Sequence, residues 1–495
     1  VAIKSELARL GRGTFIYGLG GLINRSIGFL LLPVLTRYFT VTDYGIIALI
    51  TVLSVLIGVF YSLGTGNSLG ICYYEATEGD ERAKVIWTNA VFLLANSLLL
   101  TAFGFVLAKY LSTILLGSGD YAYLIRLSLI TLTLNTVMAP FMSYLQLNER
   151  AKIYVFISTF SSLITVLLTI LEVVYWGRGL AGAFEASLGG AVIMFLGMLI
   201  AAARYLKFGL ELSWIWPLVK IGFPSVFGTG AFFLIDWADR VMIGRFAGLN
   251  EVGTYAVGYS FGMVISLAVA AFGNAWPPYF ISFLHKKDEA VVLFGKVLKY
   301  YIILYGSLTL LFFLMARPVM ALMTAPPFHS AFTVVGLVAL AYMLKGCYLI
   351  MLPALAFEKK LYLQTGIEWI AALVNIGLNF LLVPMFRKEG AAIATVIAYF
   401  CLPVLAYIIG RRYLPVSHDW ASIWKFAAGF VVLAALSYVP FYSKPIYGLA
   451  IGLLGFVLSG FYVLYITVSR TERAAFIGLI TTIKNRFYYS SRNSL

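Results

Sequence analysis

Residues 236–253 read Asp-Trp-Ala-Asp-Arg-Val-Met-Ile-Gly-Arg-Phe-Ala-Gly-Leu-Asn-Glu-Val-Gly. The run sets Asp236, Asp239 and Arg240 inside an otherwise apolar helix, then ends that helix at Arg245 and a short turn. Positions i, i+3 and i+4 share one helical face, so Asp236 can pair with Arg240 while Asp239 projects beside them. In lipid each such charge costs about 2.5–3.5 kcal/mol. The three are therefore expected to face protein or a watery cavity, as the floor or wall of a transport pathway.

The rest of the chain places that run in a membrane. Of 495 residues, 61% are hydrophobic and 12% charged, against about 25% charged in an ordinary soluble domain. At about 20 apolar residues per span, the apolar runs predict an all-α integral membrane protein with about 14 transmembrane helices. No loop is long enough for a nucleotide-binding cassette or a large catalytic domain, which argues against an ATP-driven pump and most membrane-bound glycosyltransferases. The first apolar run follows Lys4, Arg9 and Arg12 without a small-residue cleavage site, so it is expected to be a retained helix. Cys72, Cys347 and Cys401 have neither disulfide nor metal-site spacing, and no metal is expected.

A net charge of +15 raises nucleic acid as a partner, but its distribution points elsewhere. With the N-terminus placed in the cytoplasm, about two thirds of the Lys and Arg fall on the cytoplasmic side, as the positive-inside rule requires. Both termini are then cytoplasmic, and the basic loops meet membrane lipid rather than nucleic acid.

Two halves repeat. Arg37 and Arg245, Gly45 and Gly253, Lys152 and Lys360, and Gly182 and Gly390 are each 208 positions apart. An even number of helices per copy gives both copies one orientation, about an axis along the membrane normal. The expected organisation is an N-terminal six-helix bundle (1–204), a cytoplasmic linker (205–220) and a C-terminal six-helix bundle (221–412). Two further helices (421–468) and a cytoplasmic amphipathic tail (469–495) follow, the tail with Phe476, Ile480, Ile483 and Phe487 on its apolar face.

Other polar residues fall within the spans. Arg25 lies near the middle of the first helix (13–36), beyond comfortable reach of either interface, and contacts either a neighbouring helix or substrate. Arg126 is about two turns inside its helix and is either an interfacial anchor or a site residue. Lys345, one turn after Tyr342, has no acid near it in sequence and is assigned to the site. Glu368, Asn375 and Asn379 share one side of a helix, the asparagines as interhelical hydrogen-bonding glue or ligand contacts. Asn274, before Pro277 and Pro278, marks a helix break that is either a hinge or a stop. Glu172 and Glu185, near outer helix ends, are expected to snorkel to water.

The run Asn-Arg-Ser-Ile-Gly-Phe-Leu-Leu-Leu-Pro-Val-Leu-Thr-Arg-Tyr-Phe-Thr-Val-Thr-Asp-Tyr-Gly at 24–45 resembles the first-helix pattern of bacterial polysaccharide exporters, the O-antigen flippase family. The run from Asp239 to Tyr255 resembles their seventh-helix pattern. The resemblance implies alternating-access translocation of an undecaprenyl-diphosphate-linked oligosaccharide across the bacterial inner membrane. It also implies work beside polysaccharide polymerase or assembly proteins. The same superfamily contains the lipid II flippase and cation-exporting multidrug antiporters, which stand as alternatives. A diphosphate needs cationic donors, and Arg25, Arg126, Arg240 and Lys345 are the intramembrane candidates, with Asn274, Asn375 and Asn379 beside them. Asp236, Asp239 and Glu368 are assigned to gating or to a coupling ion, H+ or Na+; no other cofactor is expected.

Overall fold

The computed structural model describes residues 2–77, 79–439, 444–470, 472 and 473, with the side chains of 2–17, 19, 25 and 361 left out. The amphipathic tail expected beyond residue 473 lies outside the described residues. Among the described residues the chain is helical and has no strand. The helices are α1 (Ala2–Tyr38), α2 (Val41–Ser62), α3 (Thr65–Glu75), α4 (Asp80–Leu116), α5 (Ala122–Leu147), α6 (Ala151–Thr169) and α7 (Gly179–Ala203). They continue with α8 (Ile215–Gly222), α9 (Pro224–Ala247), α10 (Leu249–Gly262), α11 (Ile265–Ile281), α12 (Lys287–Met323) and α13 (Phe332–Met351). The last are α14 (Pro353–Phe357), α15 (Leu361–Gly410), α16 (Trp420–Leu436) and α17 (Pro445–Tyr462).

Nine segments among the described residues are long and apolar enough to cross a membrane, or eleven if two bent pairs each count as one span. The protein is a multi-pass, all-α membrane protein. The difference from fourteen arises at three places. α1 is described only in part, α16 has 17 residues, and α15 runs through two expected spans with a non-helical residue, Arg387, between them. The bent pairs are α8 with α9, at 46°, and α10 with α11, at 48°. The second bend falls at Gly262–Ile265, whereas Pro277 and Pro278 remain inside α11. α11 stops at Ile281, three residues after Pro278, which fits the helix stop expected after Asn274, and the bend is a separate feature.

Local chemistry sets the helix ends. At α2, Thr40 and Asp43 form a reciprocal capping box: the Asp43 N–H donates to Thr40 Oγ1 at 3.2 Å, and the Thr40 N–H donates to Asp43 Oδ2 at 2.9 Å. Leu63 and Gly64 take positive φ between α2 and α3, within the one span-length stretch Val41–Glu75. Glu172 and Glu185 do not reach water singly. Both pair with Arg178, at 3.3 and 2.6 Å, and Tyr123 donates to Glu185 at 2.7 Å.

The chain divides into two compact units: Val1–Val257 with Met323–Ala331 and Glu368–Ala398, and Gly258–Leu322 with Phe332–Ile367 and Tyr399–Leu495. Within the first unit, positions 208 apart meet reciprocally. A Cβ on Gly45 would collide with the Leu249 carbonyl, and one on Gly253 with the Val41 carbonyl. Thr42 Oγ1 donates to Asn250 Oδ1 at 2.6 Å, again 208 positions away. Such exchange of partners is the mark of an isologous contact about a local twofold axis. The offset is not uniform. In the turn before α6, the Arg150 N–H donates to the Leu145 carbonyl at 2.8 Å; in the turn before α15, the Lys360 N–H donates to the Leu355 carbonyl at 2.9 Å. Lys360 thus corresponds to Arg150, not to Lys152, a slip of two residues. Each cation caps a tyrosine ring, Arg150 over Tyr205 at 3.4 Å and Lys360 over Tyr413 at 4.1 Å.

Candidate functional site

α9 begins with Pro224 in its first turn and stops at Gly248, whose φ of +87° turns the chain directly into α10. Asp239 lies nine residues before that glycine and Tyr255 seven after it, so each is about 10–14 Å along its helix from the turn. The corner therefore brings the two side chains to similar depth. Both are completely buried, and the Tyr255 hydroxyl donates to Asp239 Oδ2. Arg240 Nη1 donates to Asp239 Oδ1 at 3.0 Å and to the Asp236 carbonyl oxygen at 2.6 Å, while the Arg240 backbone N–H reaches Asp239 Oδ1 at 2.7 Å. The guanidinium also lies 4.7 Å from the Trp237 ring centroid and 5.5 Å from that of Tyr255.

The geometry assigns the three charges different surroundings. Asp239 has both oxygens engaged and its charge balanced by its own neighbour, which is what makes a buried ion pair tolerable. Asp236 is only half-buried and supplies its carbonyl to Arg240. A buried cluster of this kind orients the guanidinium rigidly, because two acceptors and two aromatic rings fix its plane.

The remaining expected residues are dispersed. The Arg25 side chain lies outside the described residues; beside it, Asn24 Nδ2 donates to Ser158 Oγ at 3.0 Å, joining α1 to α6. Arg126 is exposed, its guanidinium 5.9 Å from the Phe105 ring centroid, away from the Asp239 cluster in its contacts. In the second unit Lys345 is half-buried, its ammonium 5.9 Å from the Tyr342 ring centroid and 5.7 Å from that of Tyr399. Tyr342 also exchanges a hydrogen bond with Tyr259, at 3.1 Å. Asn274 is exposed on α11. In the first unit Glu368, Asn375 and Asn379 are buried. Asn379 Nδ2 donates to the Asn375 carbonyl at 2.9 Å and to Asn375 Oδ1 at 3.0 Å, leaving Asn375 Nδ2 and Asn379 Oδ1 without hydrogen-bond partners among the described residues. The bond thus lies within one helix turn, and one amide donor and one acceptor remain open beside it.

Tyr255 and Trp237 complete the cluster without any signal in the sequence that marks them for it. A tyrosine or tryptophan in an apolar run carries no local signal of its own, since either packs readily without any ionic neighbour.

Comparison with known proteins agrees with this architecture. The family model described as "Polysaccharide biosynthesis protein" matches residues 10–284. The succinoglycan biosynthesis transport protein ExoT of Rhizobium meliloti (strain 1021) is 26% identical over 326 residues, 64% of this chain and 63% of that protein. The chain thus aligns with somewhat under two thirds of that relative's length. Among solved structures, the lipid II flippase MurJ in an inward closed conformation superposes with a TM-score of 0.73 at 14% identity, covering 90% of this chain and 98% of MurJ. A multidrug resistance MATE family transporter of the MOP superfamily, inward-facing, gives 0.61 at 14% identity, covering 79% and 94%. At these identities the structures show a shared fold. With more than half of its length matched by the family model, the chain belongs to the polysaccharide biosynthesis protein family.

Proposed function

We propose that the protein is a flippase that carries an undecaprenyl-diphosphate-linked oligosaccharide from the cytoplasmic to the outer leaflet of the bacterial inner membrane. Two six-helix bundles opening alternately to either side would perform the movement, with both termini cytoplasmic. The observation that carries the reading is the buried Asp239–Arg240–Tyr255 cluster in a membrane-spanning helix of a polysaccharide biosynthesis family member. Ionic groups at such positions are costly and mark pathways for charged cargo. The relatives named as transporters and flippases support the same direction.

In this proposal Arg25, Arg240 and Lys345 contact the diphosphate or acidic sugars, with Arg126 and the asparagines Asn274, Asn375 and Asn379 as further polar contacts. Asp239, already saturated by Arg240 and Tyr255, positions the guanidinium. A coupling ion, H+ or Na+, would then act through Asp236 or Glu368. Polymerase or assembly proteins would receive the product.

The test is lipid mass spectrometry on protein purified in native bilayer patches, comparing wild type with an Arg25→Ala, Lys345→Ala double variant. A polyprenyl diphosphate oligosaccharide that co-purifies with wild type and is lost from the variant is expected. The likeness to a multidrug transporter fold and the intramembrane acids favour one other reading, a cation exporter. Binding of a cationic compound that depends on Asp236 or Glu368, with no such lipid present, would establish that reading instead.

A further inference from the structure

Within the first unit, α5 differs from its neighbours in what it exposes. Between residues 91 and 106, α4 exposes Val91, Leu94, Leu98, Leu99, Phe103 and Val106, with only alanines besides. α6 does the same through Phe156, Phe160, Leu163 and Leu167. Such faces suit hydrocarbon. Every exposed side chain of α5 instead carries a polar group: Tyr123, Arg126, Asn135 and Gln146.

Asn135 is the one at depth. It lies mid-helix, about 18–20 Å from either end of α5. Its amide is exposed and makes no hydrogen bond among the described residues. Hydrocarbon offers such a group neither donor nor acceptor, so its exposure to lipid is costly. Asn135 therefore meets water or a polar cargo.

Contacts on the other sides of α5 fix the direction. Leu132 Cδ1 lies 3.4 Å from where a Cβ on Gly58 of α2 would stand, Thr133 Oγ1 shares a hydrogen bond of 2.8 Å with Thr101 of α4, and Tyr123 donates to Glu185 of α7 at 2.7 Å. With 3.6 residues per turn, the side left between α2 and α7 holds Thr131, Asn135, Ala139, Met142 and Gln146. All five are exposed or half-buried. Arg126 lies half a turn round from Asn135, with its guanidinium by Phe105 of α4. It is the one charged residue in the sequence of α5, so the open side of this helix is polar without charge.

We propose that this side of α5 is an uncharged wall of the export pathway and that Asn135 binds sugar hydroxyls of the cargo. The inference rests on the flippase reading and divides the cargo between surfaces: cationic side chains take the diphosphate, and this wall takes the glycan. A carboxamide donates and accepts at once, as a sugar hydroxyl does. A diphosphate offers acceptors alone and is met better by guanidinium or ammonium. Thr131, whose hydroxyl donates to the Leu127 carbonyl at 2.9 Å, keeps a lone pair for a second sugar hydroxyl one turn away.

Two measurements on the full chain test the wall and the sugar contact separately. Cys72 and Cys347 are buried and Cys401 is half-buried, so the first uses a Cys401→Ser background. In native membranes Asn135→Cys is expected to react with a charged maleimide, while Leu98→Cys on α4 stays unlabelled. An unlabelled Asn135→Cys would overturn the proposal. In the second, purified protein is titrated with undecaprenyl diphosphate, bare or carrying a short neutral hexose oligosaccharide, and bound lipid is counted by native mass spectrometry. Asn135→Leu should weaken binding of the glycosylated lipid about tenfold, the worth of one hydrogen bond, and leave the bare lipid unchanged. Asn135→Gln, which keeps the amide, should retain most of the binding. Equal weakening for both lipids, or none for either, would overturn the sugar contact. Wild-type protein that bound neither lipid would overturn the flippase reading and the sugar contact with it, whereas labelling of Asn135→Cys would still establish the watery wall.

Discussion

The Asp239–Arg240 pair illustrates how a single residue is decided by its neighbours. Deleting one member of a buried ion pair leaves the other charge without compensation, at a cost of about 3–5 kcal/mol. Asp239→Asn is therefore expected to lower the melting temperature of the purified protein sharply. Asp239→Asn combined with Arg240→Met removes both charges and should recover most of that loss, while the proposed export is expected to be lost in both variants. If the double variant were no more stable than the single one, Asp239 would not be acting as the counter-ion. Tyr255→Phe should cost about 1–3 kcal/mol, since it strips a donor from a buried carboxylate. Its thermal unfolding compared with wild type reads this out directly.

Helix termini and junctions hold two further consequences. Arg387 sits between the two halves of α15 with φ 50° and ψ −127°, a conformation suited to glycine. The position 208 residues earlier is Gly179, also at positive φ. Arg387→Gly should stabilise the protein by about 1 kcal/mol, the relief of backbone strain exceeding the loss of an exposed contact to Glu251 at 3.6 Å. An unchanged or lower melting temperature would show that the strain is not felt.

At the other junction, Lys299 joins three elements, pairing with Asp419 and Glu472, each at 2.9 Å. Hydrogen bonds from Ser422 and Lys299 hold Asp419 at about 2. Partial burial alone would raise Glu472, but hydrogen bonds from Lys299, Ser469 and Tyr300 hold it at about 2 as well. Carboxylates held below their ordinary values stabilise the fold fully above those values, and lose that contribution as pH falls towards 2. His418, lowered by burial to about 4, acts in the same direction: an unfolded loop takes up a proton below about 6.5 that the folded one refuses. Acidification should thus loosen this junction progressively. The loosening should appear as a rise in protease cleavage near Arg470 and Arg473 that begins below about pH 6.5 and steepens below about 4.5.

For the whole molecule, the decisive contact is the reciprocal one at Thr42, Gly45, Asn250 and Gly253. Glycine is needed there because each Cβ would strike a carbonyl of the facing helix, and the close approach leaves no room for relaxation. If the proposed alternation separates these helix ends, Thr42→Cys with Asn250→Cys should stop export under oxidising conditions and restore it on reduction. Export that continued with the cross-link complete would show that the ends stay together throughout the cycle.

Much of this protein is written along the chain. Apolar run lengths and the scarcity of charge decide a multi-span helical fold, because lipid demands that each backbone polar group be satisfied within its own helix. The correspondence of Gly45 to Gly253 is legible as a constant offset, whereas their meeting in space is not. The two-residue slip at Arg150 and Lys360, and the bend of α10 against α11, were not legible, because turn geometry and packing override local spacing. The partnership of Asp239 with Tyr255 belongs wholly to the tertiary structure. A sequence shows which charges must be hidden from lipid, but only the approach of residues far apart in the chain shows which groups neutralise them.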